Sequence, residues 1–153
     1  MSRWLREIFN PCGLGGNKLA PAGGDRFTDP VGHTISNNAA HLLDALIKGD
    51  DTEASRGCLE NIIRIRAVQD LTQSQAVGFM AGLKPIIRSQ VIAETKKYGL
   101  MKELSELENR IDCLGHIADE SYINMKRKIR ELAINQAKKD NEFKARIISI
   151  RKV

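Results

Sequence analysis

The chain is poor in the residues that usually mark a reaction centre or a covalent framework. Its three cysteines, Cys12, Cys58 and Cys113, are odd in number and widely spaced. That spacing suits neither a disulfide framework nor a zinc knuckle and fits a reducing, cytoplasmic setting. Histidine occurs only at 33, 41 and 116, without ligand spacing to the cysteines or a haem-attachment signal, so neither metal nor haem is expected. The glycines of "CGLGGNKL" and "PAGGD" follow no strand and lack the G-x-x-x-x-G-K-[ST] frame, which argues against a phosphate cradle. No apolar run approaches the roughly 20 residues that span a bilayer, and the amphipathic start "MSRWLREIFNPCG" has no signal-peptide core. Strand-type alternation is missing too, except in "RIISIRKV" at the end. An all-α chain of one domain is the expectation, since 153 residues at 42% hydrophobic content fill one core but not two.

What is present is organised along the chain. Trp4, Leu5, Ile8 and Phe9 form one apolar stripe on a short helix that Ser2 caps and Pro11 ends. The glycine-rich stretch after it reads as a flexible linker, so residues 1–26 form a leader and a domain covers 27–140. Within that domain a first helix is capped at Thr28 or Asp29 and stops at Gly49. A second starts at Thr52 and Glu53 with Leu59, Ile62, Ile63, Ala67 and Val68 on its core face. Thr72 and Gln75 make the capping box of a third, which crosses Pro85 with a kink and ends before Gly99. Gly78 and Gly82 fall on one face of this helix, where a neighbouring helix would approach closely. From Leu100 an apolar residue recurs every three to four positions, through Leu104, Leu107, Ile111, Leu114, Ile129 and Leu132. This predicts one helix of roughly 40 residues, near 60 Å, longer than a small domain covers. Those six residues are therefore the expected interface of a homodimer.

Charge is divided unevenly. Residues 126–153 carry ten basic and three acidic side chains, a net +7, which leaves −2 for residues 1–125. The basicity thus belongs to the tail, whose last segment, 141–153, reads as a solvated flank in preference to a nucleic-acid arm. Paired carboxylates, including Glu103, Glu106 and Glu108, fall at turns or on outward helix faces and read as solvated charge, so no enzymatic role is expected. Cys58 and Cys113 sit on helices and read as small packing residues. Arg64, Arg66, Asp70 and Gln73 crowd one capped corner. They either fix the angle between two helices or form a docking surface.

The segments "PVGHTI" (30–35), "RIRAVQD" (64–70), "SQAVGFMAGLK" (74–84) and "ELENRIDCL" (106–114) resemble the amino-terminal domain of the RsbT co-antagonist family called RsbRD. The resemblance covers about Phe27 to Lys139. It implies a globin-like, haem-free helical domain that dimerises and relays a signal along an exit helix to a STAS domain and a switch kinase. This chain stops at Val153, where such a STAS domain would begin. The expectation is accordingly a non-catalytic regulatory module with a protein partner. A second reading is an accessory subunit that docks through Trp4, Leu5, Ile8 and Phe9 onto a larger complex, for instance a membrane-bound respiratory or redox assembly, and meets the membrane only through that partner. The other outcome for the leader is folding back onto its own domain or onto its dimer mate. Nucleic-acid binding by the tail ranks third, because the domain body is acidic.

Overall fold

A computed structural model describes Trp4, Ile8 and residues 30–49, 53–69 and 71–151. The expected linker, the cap at Thr28 or Asp29, Leu5, Phe9, Cys12 and Asp70 lie outside the described residues. The chain is all-α: α1 spans Pro30–Lys48, α2 Glu53–Val68, α3 Gln73–Tyr98 and α4 Met101–Arg151.

The helix ends follow local chemistry. Gly49 ends α1 in the left-handed region at φ 77°, and its amide donates to the Ala45 carbonyl at 2.9 Å. At the start of α3 the Gln75 amide donates to the Thr72 hydroxyl, and the Gln75 side-chain oxygen accepts from the Thr72 amide at 2.9 Å. Two amides that the helix leaves without partners are satisfied in this way. The helix runs unbroken through Pro85 to Gly99, whose φ of 72° allows the Leu100 amide to donate to the Thr95 carbonyl.

Packing is set by apolar faces. Ile35, Ala39, Leu42 and Leu46 of α1 lie on the Leu59, Ile62, Ile63 and Ala67 face of α2, and α4 packs against both α2 and α3. Val68 departs from expectation at 68% exposure. It lies 100° around the helix from Ala67, which takes the core position four residues after Ile63. Gly78 is no helix-contact point either, since a Cβ there would meet nothing within 4 Å. Among the described residues α1 and α3 make no close backbone approach. Trp4 and Ile8 are buried in the core beside them.

α4 is longer than the periodicity predicted, because 51 residues at 1.5 Å each make about 77 Å. Its face from Leu104 to Tyr122 is buried, while every residue from Glu131 to Ile150 is exposed. "RIISI" is helical, not a strand: extending an existing helix fixes few dihedrals per hydrogen bond, whereas an isolated strand has no partner. No described helix is long and apolar enough to cross a membrane.

Candidate interaction sites

The corner at the α2–α3 turn is built around a buried cation. Arg66 follows Ile62 by four residues and Ile63 by three, which points it into the core at 1% exposure. Its Nε donates to the Ala76 carbonyl and its Nη2 to the Gln75 carbonyl, both at 2.7 Å, and its Nη1 donates to the Ile8 carbonyl. The guanidinium also lies 5.4 Å from the centre of the Phe79 ring, within cation–π range. One planar fork thus joins α2, the first turn of α3 and the chain at Ile8. Arg66 therefore serves the angle-fixing role and not a docking surface. Arg64 is exposed, and Gln73 is also exposed, donating to Asp119 Oδ1 on α4 at 2.8 Å.

Trp4 and Ile8 correct the expectation of a detachable anchor. Trp4 is 1% exposed, its indole N–H donates to the Phe79 carbonyl at 2.8 Å, and the two rings lie 6.2 Å apart. A buried indole needs an acceptor for its single donor, and the helix backbone supplies it here. Both residues belong to the fold of their own chain.

The proposed dimer residues divide. Leu104, Ile111 and Leu114 are buried within one chain, and Leu107 and Ile129 are half-buried against the same core. Those positions pack within their own chain and do not form one continuous exposed seam, while Leu104 and Leu107 also line a groove; Leu132, 69% exposed, is uncovered.

Ion pairs fasten α3 to α4. Arg88 grips Glu108 through both carboxylate oxygens, Nη2 to Oε2 at 2.7 Å and Nε to Oε1, while Lys84 reaches Asp112 at 2.5 Å. Glu108 is thereby buried and paired, contrary to its reading as solvated charge. The hydrogen bonds and charge of Arg88 hold its carboxyl below the usual carboxylate range. Cys58 is half-buried and its thiol is pushed up by desolvation. Cys113 is exposed, not packed. His33 contacts Asn37 at 3.0 Å, and His41 and His116 are exposed. Among the described residues no three His, Cys, Asp or Glu side chains cluster as a metal site.

Sequence reasoning missed a groove of about 650 Å³ between α1, the second half of α3 and the start of α4. Leu43, Ile87, Val91, Leu104 and Leu107 supply its apolar wall, and Trp4 closes it at one side. Arg110 at its edge is already engaged, donating from Nη1 to the Leu46 carbonyl at 2.9 Å beside Gly49. The available signal was a surplus of apolar residues, Ile87, Val91, Tyr98 and Leu100, beyond what one face of α3 needs.

Comparison with family models, with curated proteins and with solved structures finds no match.

Proposed function

We propose that the chain is a non-catalytic regulatory interaction module, a globin-like, haem-free bundle of the kind the RsbRD resemblance implies, that pairs with a second copy through α4. The observation that carries this reading is the outer third of α4. About 20 residues, some 30 Å of helix, extend past the last core contact. Leu132, Ile134, Phe143, Ile147, Ile148 and Ile150 are exposed on it, more uncovered apolar surface than one exposed helix ordinarily carries. The segments behind the resemblance also meet in space: Arg66 of "RIRAVQD" holds the Gln75 and Ala76 carbonyls of "SQAVG". The charged groups that leave solvent, Arg66 and Glu108, are engaged in packing elements together, which supports a scaffold role. The test is light scattering on the full chain and on a chain ending at Arg130. The full chain is expected to be a dimer, and the shortened one a folded monomer, because Glu131 to Ile150 are exposed and lie outside the core. A full chain that stays monomeric at high micromolar concentration refutes the reading.

A further inference from the structure

Among the described residues two apolar surfaces are without a partner, at opposite ends of α4. One is concave: the groove described above, continued at its mouth by exposed Ile47, Tyr98 and Leu100. The other is convex: Phe143, Ile147, Ile148 and Ile150 on the projecting end. Their charges are opposite. Among the described residues Glu94, Glu103 and Glu106 line the groove against one basic side chain, the already engaged Arg110. The end of α4 carries Lys138, Lys139, Lys144 and Arg146 against Asp140 and Glu142.

From these we infer that the groove receives the end of α4 from a second copy of this chain. The match cannot be made within one chain. Leu104 at the groove and Ile147 on the tail are 43 residues apart on one continuous helix, about 65 Å. Pairing tail with tail instead would set two basic ends side by side, since residues 131–153 carry six basic against three acidic side chains, a net +3 that docking onto the acid-lined groove matches with opposite charge. A helix inserting anchors three and four residues apart is an established way to fill an apolar groove. Phe143, Ile147 and Ile150 have that spacing.

This inference rests on the α4-mediated association proposed above, and the test separates the two. In a background with Cys12, Cys58 and Cys113 changed to Ser, one preparation carries Gln90→Cys at the groove and another Ile147→Cys on the tail. Neither change disturbs the fold, Gln90 being exposed and Ile147 lying outside the core, and cysteine keeps position 147 apolar for docking. Mixed and mildly oxidised, the two are expected to form a disulfide-linked pair joining positions 90 and 147. Ile147→Asp in the otherwise natural chain is expected to raise the dimer dissociation constant at least about tenfold while the helical circular dichroism at room temperature is unchanged. A dimer in which only Ile147→Cys chains link to each other overturns groove docking and leaves the association intact. A monomer without cross-links overturns both.

Discussion

Replacing Arg66 by Met tests whether one buried fork holds the corner of the fold. Methionine keeps the apolar stem but ends near the place of Nε, so the guanidinium is lost with its three hydrogen bonds to the carbonyls of Ile8, Gln75 and Ala76 and its contact with the Phe79 ring. Hydrogen bonds to charged groups contribute about 1.5–3 kcal/mol each, and bonds that share one side chain add to less than their sum, which gives about 3–5 kcal/mol. For a chain of 153 residues each kcal/mol moves the melting temperature by about 2–4 °C, so a fall of roughly 6–20 °C is expected. Arg66→Lys should not rescue it, because an ammonium keeps the charge but not the planar geometry that reaches three carbonyls at once. Exposed Arg64→Gln is the control and should change stability by no more than about 0.5 kcal/mol. Circular dichroism on heating reads all three. Melting of Arg66→Met within about 2 °C of the natural chain refutes the argument, and full rescue by Lys would mean that charge matters but the fork does not.

Trp4→Ala should cost about 3–5 kcal/mol, as for other buried tryptophans. The natural indole, the chain's one tryptophan, should resist iodide quenching until the whole domain melts; early quenching would place it outside the cooperative unit. The Arg88–Glu108 contact sets a pH dependence. Glu108 titrates lower in the folded chain than in the unfolded one, so its contribution is complete above the unfolded carboxylate value of about 4.3 and is lost as pH falls through the folded value below it. The melting deficit of Glu108→Gln should therefore stay constant from neutrality to about pH 5 and shrink under more acid conditions. A deficit that does not change down to pH 3 would assign the effect to packing.

Local signals made the helix ends readable in advance. Gly49, the Thr72–Gln75 box and Gly99 act within five residues of themselves, so their outcome does not depend on the rest of the fold. Whether the leader folds back was not decidable from its own residues, because the contact that settles it joins Trp4 to Phe79, 75 positions away. The stripe on α4 was legible as apolar, but not which part of it the chain covers itself; that depends on where α2 and α3 end against it. Arg66 offered a signal that its neighbours obscured. It falls on the same face as Leu59, Ile62 and Ile63, and an arginine in that register is buried or disrupts the face. The tail misled through its isoleucines, whose β-branching suits strands but also sits without much cost in a helix already under way.

Between His116 and Arg151 the chain has neither glycine nor proline, so α4 leaves the domain without a hinge. Its outer 30 Å is consequently a stiff lever whose fulcrum is the core between Leu104 and Tyr122. A tilt of about 5° at Tyr122 carries the Ile150 end, 28 residues or about 42 Å away, sideways by about 3.7 Å, roughly two thirds of the pitch of a helical turn. Repacking in the core too small to alter the domain's outline would thus reach whatever the tip touches as a sideways shift of several ångströms.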